Sequence, residues 1–374
     1  MPSIIRRHVD WILLGAATLI VAAGLVTMDS FTSENYFFTR QLIWVAISIG
    51  VCLTASYIDW RLLRNSWVLV GFFVILSGVL LALILFGSVV KGAQSWFQFA
   101  SVAFQPVDFV KLLVIIILAK YFSRRHIEIS QAKHIIISGI YALIPFVLVL
   151  LQPDFGGAII IFFIWLGMIM VSGISKKHLG LVFLVGMISF GLLWGFAFKD
   201  YQKKRIMTFL QPLSDIHGAG YNAFQSQVAV GSGQLFGKGV GYGTQSRLSF
   251  LPEYETDFIF AAFAEEWGFF GVLILFGLFA VIVWRILSLA MIGASNFETL
   301  FAMGLAIYFM SHFFINVGMN IGLLPVTGIT LPFMSYGGSH LLAEFLGIGI
   351  LMGMRRYARA AHREDMKNEF VGVV

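Results

Sequence analysis

The sequence predicts an all-α integral membrane protein with about ten transmembrane helices, both termini cytoplasmic and a long external loop between helices seven and eight. Three observations carry this prediction. Hydrophobic residues make up 59% of the 374 residues and charged residues only 12%, about half the roughly 25% of a soluble domain. The mean hydropathy is +0.89. Apolar runs of spanning length recur along the whole chain, and Lys and Arg collect in the short stretches between them. Soluble globular, disordered, collagen-like and disulfide-rich classes are excluded on composition.

About 20 apolar residues cross the hydrocarbon core. Segments that qualify lie at 9–28, 38–58, 66–88, 106–121, 134–151, 157–173, 178–197, 265–289, 298–319 and 337–354. The fourth is short and the eighth opens on acids. The first is not a cleavable signal, because its apolar run is long and no small-x-small site follows it cleanly. Basic residues orient the spans. Arg6, Arg7, Arg61, Arg64, Lys120, Arg124, Lys176, Lys177 and the polar tail 355–374 fall on one side, which the positive-inside rule makes cytoplasmic. The other side is basic mainly in the loop 198–256, and long loops obey the rule poorly. The net charge of +6 therefore reads as topology, not as nucleic-acid binding. The one cysteine, Cys52, sits in an apolar run as a small core residue and excludes an internal disulfide. No repeat and no separate soluble domain interrupt 1–374, which reads as a single membrane domain.

The external loop carries Gly231-Ser232-Gly233 and then Gly237-Lys238-Gly239-Val240-Gly241-Tyr242-Gly243. Alternating glycines let backbone N–H groups approach an anion, and Lys238 adds a point charge. The run is not a P-loop, since it lacks the Gly-Lys-Ser/Thr ending. It faces away from cytoplasmic ATP, so an external reaction needs a substrate that brings its own activation. A flexible loop without chemistry is the competing reading.

An ionised side chain at mid-bilayer costs roughly 2.5–3.5 kcal/mol, so each one needs a reason. Asp108 and Lys111 are three apart on one helix face and can pair, as a structural ion pair or as the wall of a polar cavity. Asp154 follows Gln152-Pro153, where it can cap the next helix or bind a cation or a sugar. Asp257, Glu265 and Glu266 lie where the external loop enters span eight, with 257 and 265 about two turns apart and able to share a face. Glu344 is a further buried carboxylate, and His312 and His340 are isolated. No paired-His spacing supports a zinc hydrolase.

These residues resemble a known family. Its strings are Gln211-Pro212, Gly218-Ala219-Gly220-Tyr221, Gly231-Ser232-Gly233, Gly237-Lys238-Gly239, Gly243-Thr244-Gln245 and Leu251-Pro252-Glu253-x-x-Thr256-Asp257-Phe258. Phe104-Gln105-Pro106-x-Asp108, Gln152-Pro153-Asp154, Leu324-Pro325-x-Thr327-Gly328 and Ser335-Tyr336-Gly337-Gly338-Ser339 support them. Together they resemble the SEDS proteins (shape, elongation, division, sporulation) over about residues 90–340. At 201–208 and 237–245 the chain looks more like the elongation member than the division member. Ser95-Trp96, Asp108 and Phe155-Gly156-Gly157 depart from the family pattern and bear on the details of the cavity.

The resemblance implies a peptidoglycan glycosyltransferase that polymerises lipid II on the outer face of the bacterial cytoplasmic membrane, beside a class B penicillin-binding protein as transpeptidase. It places the family's essential aspartate on Asp257. Lipid II carries its own pyrophosphate leaving group, so the chemistry needs one base and positive charge for the departing pyrophosphate. Asp257 suits the base. Lys111, Arg205, Lys238 and Arg40 suit the charge. Asp108, Asp154, Gln245 and Ser335 join them as expected substrate-binding residues, and Glu265 supports them. A divalent cation, Mg²⁺ or Mn²⁺, would do the same work as a cation, although no such site is legible. A lipid II flippase and a non-catalytic scaffold for cell-wall enzymes are the alternatives.

Overall fold

The computed structural model describes residues 9–30, 36–90, 93–99, 102–124, 132–196, 200–211, 219–248, 250–251, 253–293 and 295–371. The helices, in chain order, are α1 (Trp11–Asp29), α2 (Tyr36–Tyr57), α3 (Ser66–Phe86), α4 (Val107–Ser123), α5 (Ala132–Leu151), α6 (Phe155–Ser172) and α7 (Lys176–Phe196). They continue with α8 (Asp200–Leu210), α9 (Ala219–Ser232), α10 (Thr244–Arg247), α11 (Ile259–Met291), α12 (Asn296–Asn320) and α13 (Gly338–Val371). Among the described residues, eight of these are long and apolar enough to cross a bilayer: α1, α2, α3, α5, α6, α7, α11 and α12. The other two expected spans are also helices. α4 has only 17 residues. α13 carries His340 and Glu344 in its first turns and a polar end.

The centre of the bundle is α4 and α12, which pack on each other and share α6 as a neighbour. Val107 to Leu113 of α4 is buried except at Phe109. Helix α7 buries no residue in its spanning window, so its apolar side chains face lipid. Helix α13 runs along α2. Gly349 and Gly353, four apart, let it close: a Cβ at 349 would fall 2.6 Å from the Cys52 carbonyl oxygen, and one at 353 would fall 2.6 Å from the Trp60 ring. This small-x₃-small contact is how membrane helices gain close packing without a hydrophobic drive. Cys52 is buried at that contact, as its apolar run predicts.

Three features correct the sequence reading. Three short strands, β1 (Ser88–Val90), β2 (Ala93–Phe99) and β3 (Val102–Phe104), pair in an antiparallel sheet in order β1-β2-β3, where no strand was expected. The loop 198–256 contains the helices α8, α9 and α10. Span eight begins at Ile259, not 265, and breaks at Gly268 (φ 64°, ψ −166°). Glu265 and Glu266 therefore sit on a short helical stub above the break. The break follows from a close crossing of backbones: a Cβ at Gly268 would fall 2.1 Å from the Gly237 nitrogen. Across it, Phe269 N–H donates to the Gln234 carbonyl and Phe270 N–H to that of Leu235.

At the opposite end of the bundle, Asp10 caps α1 by accepting from Leu13 N–H. It also accepts from Arg285 (3.2 and 2.5 Å) and Arg355 (3.2 Å), so one carboxylate ties α1, α11 and α13 together. Burial raises its pKa, but the Arg285 hydrogen bond, the Leu13 N–H and the two guanidinium charges outweigh it and hold the carboxyl below its usual range.

Candidate active site at the head of α11

Asp257 occupies the turn that leads into α11 and is half-buried. The turn itself is clamped. Glu253 takes a positive φ of 54°, and its carbonyl accepts from the N–H groups of Thr256 and Phe258. The Thr256 hydroxyl donates to the Glu253 carboxylate at 3.2 Å. The carbonyl of Asp257 accepts from Asn316 Nδ2 at 2.9 Å and Asn320 Nδ2 at 3.1 Å. These amides stand one turn apart on α12. Asn316 also donates to the Ile329 carbonyl, and Asn320 to that of Asn316. Sequence reasoning missed both; the signal was two asparagines at i and i+4 at the end of an apolar span.

The segment after α12 wraps around this turn. Ser335 is buried; its hydroxyl donates to the Thr256 carbonyl at 2.7 Å and accepts from Leu331 N–H at 2.8 Å. Tyr336 N–H donates to the Glu255 carbonyl at 2.8 Å. Gly328 lies beside it, where a Cβ would be in ordinary contact, 3.5 Å from Asp257 Oδ2. Its φ of 75° is the left-handed conformation that favours glycine. From α2, Gln41 donates to the Ser335 carbonyl and accepts from Gly337 N–H. Its neighbour Arg40 lies over the Tyr36 ring, 4.2 Å from its centroid. Burial raises the pKa of the Tyr336 phenol, and a hydrogen bond from Arg40 offsets part of that rise. Arg40 thus belongs to the wall of the Asp257 turn.

Glu265 is different. It is fully buried, and donors surround its carboxylate. Oε1 accepts from Lys238 Nζ at 2.7 Å, Thr244 N–H at 2.9 Å, Thr244 Oγ1 at 3.0 Å and Gln245 N–H at 3.1 Å. Oε2 accepts from Gln245 N–H at 3.2 Å. Gly243, at the N-cap of α10, offers no side chain, so Glu265 takes the orphan N–H groups of that helix. Beside it, Glu266 accepts from Gly241 N–H at 2.6 Å. The glycine run therefore folds onto two carboxylates of the protein itself, and the Lys238 ammonium is engaged by Glu265. Asp257 and Glu265 do not share a helix face, because 257 precedes the first turn of α11.

A third group lies deeper. Asp108 Oδ1 is 3.1 Å from Lys111 Nζ and 3.2 Å from His340 Nδ1, and its Oδ2 accepts from Ser339 at 3.4 Å. Lys111 reaches His312 Nε2 at 3.4 Å, and the other ring nitrogen of His312 meets the Thr330 carbonyl at 3.1 Å. His340 Nε2 is 2.9 Å from Glu344 Oε1, and Glu344 Oε2 accepts from Phe333 N–H at 2.9 Å. The two histidines that look isolated in sequence are thus part of one buried network. It grips 330–333, the stretch that continues into the wall around Asp257. Asp154 caps α6 through Gly157 N–H at 2.7 Å and accepts from Gln105 Nε2 at 3.3 Å, while Gln105 N–H donates to Ser339.

The structure therefore brings Arg40 and Ser335 to the Asp257 turn. It places Lys238, Gln245 and Glu265 in a neighbouring knot, and Asp108, Lys111 and Asp154 in a buried chain below. Arg205 lies on α8, and its side chain falls outside the described residues, as do Gln211's neighbour Pro212 and Pro252 of the family strings. Among the described residues no group of three or more His, Cys, Asp or Glu side chains is set to hold a metal ion.

Comparison with known proteins agrees over the whole length. A family model described as FtsW, RodA and SpoVE cell cycle protein matches residues 3–360. Peptidoglycan glycosyltransferase MrdB of Escherichia coli is 35% identical over 355 residues, covering 95% of each chain. Stage V sporulation protein E of Bacillus subtilis is 33% identical over 365 residues, covering 96% of this chain and 98% of its own. Among solved structures, the rod shape determining protein RodA of Thermus thermophilus superposes with a TM-score of 0.70 at 28% identity, covering 93% of this chain and 96% of that one. A chain of a peptidoglycan synthase complex, described as coordinating polymerization and crosslinking, superposes at 0.78 with 29% identity and coverages of 93% and 98%. With 35% identity to MrdB and a family model spanning nearly every residue, the chain belongs to the FtsW, RodA and SpoVE family of membrane proteins.

Proposed function

We propose that this protein is a peptidoglycan glycosyltransferase that joins lipid II disaccharides into glycan strands on the outer face of the bacterial cytoplasmic membrane during elongation. The observation that carries the reading is the contrast at the head of α11. Asp257 is partly exposed on a turn pinned by Asn316, Asn320 and Ser335, whereas Glu265 is fully buried among donors. A fixed backbone under a partly exposed carboxylate suits a general base.

In the proposed reaction, Asp257 accepts the proton of the acceptor sugar's 4-hydroxyl as that oxygen attacks the anomeric carbon of the donor. The bond from that carbon to the pyrophosphate oxygen breaks, and the undecaprenyl pyrophosphate leaves with the electron pair. An α-linked donor then gives a β linkage by direct displacement. Arg40 is well placed to balance the leaving charge, since α2 is tied to the same wall through Gln41. Lys238 and Lys111 each pair with a carboxylate of the protein, Glu265 and Asp108. Mg²⁺ or Mn²⁺ would be carried on the pyrophosphate, whose oxygens are the ligands these hard cations take. A class B penicillin-binding protein would crosslink the strands. The complex named among the solved structures supports such a partner.

The flippase reading rests on the polar chain from Asp154 through Gln105 and Ser339 to Asp108 and Glu344. That chain is interlocked and buried, which suits a fixed support more than a moving path. The test reconstitutes the purified protein with its transpeptidase in vesicles carrying lipid II. Glycan strands without movement of lipid II between leaflets are expected. Lipid II exchange without strands would overturn the proposal.

A further inference from the structure

A groove away from the Asp257 turn combines an apolar slot with a pair of cations at one end. It has a volume of about 230 Å³ between α3, α4 and α5. Its walls are Leu69, Val70, Phe73 and Ile117, with the rings of Tyr121 and Tyr141. At one end stand Lys120 and Arg124, four apart at the last turn of α4, beside Ser66 in the first turn of α3. Neither cation has an acidic partner among the described residues, unlike Arg64 nearby, which pairs with Glu298 at 2.8 Å. Cations at the end of a spanning helix are ordinary topology signals. Here, however, they crown an apolar slot open to the hydrocarbon.

A ligand that complements this must be amphiphilic, with an anionic head and at least one hydrocarbon chain. We propose that the groove binds an anionic phospholipid of the cytoplasmic leaflet, its phosphate against Lys120, Arg124 and the Ser66 hydroxyl and an acyl chain along Val70, Phe73 and Tyr141. The leaflet assignment rests on the orientation read from the basic loops; the binding itself does not. An anionic leaflet attracts such cations by about 1 kcal/mol each, and the slot turns that diffuse attraction into one site. Bound there, the lipid would brace α3 and α5 against α4.

The test is native mass spectrometry of the full chain in detergent, titrated with dioleoyl phosphatidylglycerol or dioleoyl phosphatidylcholine. Lys120→Gln/Arg124→Gln should lower retention of the first phosphatidylglycerol about tenfold, and Val70→Trp, which fills the slot without changing charge, should lower it several-fold. Lys120→Arg and a control pair elsewhere on the same side, Lys176→Gln/Lys177→Gln, should retain it. Thermal midpoints of the variants establish that they fold. Equal retention of the two lipids by the parent, or an equal effect of the control pair, would overturn the proposal. So would displacement by inorganic phosphate as effectively as by the lipid, which would make the site one for free phosphate. All these outcomes are read from binding and are independent of strand formation.

Discussion

Asp257 and Glu265 lie eight residues apart at one membrane surface, yet the protein treats them in opposite ways. Glu265 gives its carboxylate to Lys238, Thr244 and Gln245 and has no exposure. Asp257 gives its backbone carbonyl to Asn316 and Asn320, while the residue stays partly exposed. An acid saturated by donors is a structural nail, because its lone pairs are committed and its loss leaves buried donors unpaired. An acid fixed through its backbone and partly exposed can be presented to a substrate. The same contrast separates the glycine-rich run, whose N–H groups face Glu265 and Glu266, from the segment 328–336, which walls Asp257.

The largest expected effect is at Asp257. Asp257→Asn keeps the size and the turn, so strand formation from lipid II should fall about 10²- to 10⁴-fold, the usual worth of a general base. The thermal midpoint should barely move. Glu265→Gln should instead cost roughly 1.5–3 kcal/mol of stability, since it removes the charge that pairs with Lys238 and puts an amide NH₂ in place of one of the two acceptor oxygens facing the α10 N–H groups. Its activity should fall with its folded fraction and recover when the protein is stabilised. A stable Glu265→Gln enzyme that is inactive would break the comparison.

Asp10 sharpens it from the far end of the bundle. Asp10→Asn should cost roughly 1.5–3 kcal/mol, the range for hydrogen bonds to charged groups, with the turnover of the folded protein unchanged. Its carboxyl titrates below the unfolded value of about 3.9 when folded. The clamp therefore stabilises above that value and loses its contribution as pH falls through the folded pKa. The parent's midpoint should drop on acidification by more than that of Asp10→Asn, measured by thermal scans across the acidic range. The smallest effect is at Asn320→Ala. Removing one of two amides from the Asp257 carbonyl should lower kcat several-fold, about 1 kcal/mol, with little change in KM.

The spans were legible because a bilayer imposes length and hydropathy on every crossing helix, and the turn that carries Asp257 could be singled out by its family string. The rest depends on pairings between distant residues. The meander strands are short, and the run Gln94 to Phe99 pairs two polar residues with two aromatics before it alternates, so the period-2 signal of a strand is absent. The break at Gly268 needs Gly237 opposite it, thirty-one residues away. Asn316 and Asn320 look like ordinary polar residues at a helix end until the Asp257 carbonyl is seen against them. Lys238 reads as a substrate cation from its glycine neighbours, and only the fold reveals the carboxylate that holds it.

The most direct test compares Asp257→Asn and Glu265→Gln side by side, each co-purified with the transpeptidase and measured for both strand formation and thermal midpoint. The account predicts a stable, inactive Asp257→Asn and a destabilised Glu265→Gln that still polymerises at low temperature. Polymer at the parent rate from a folded Asp257→Asn would contradict it and remove Asp257 as the base.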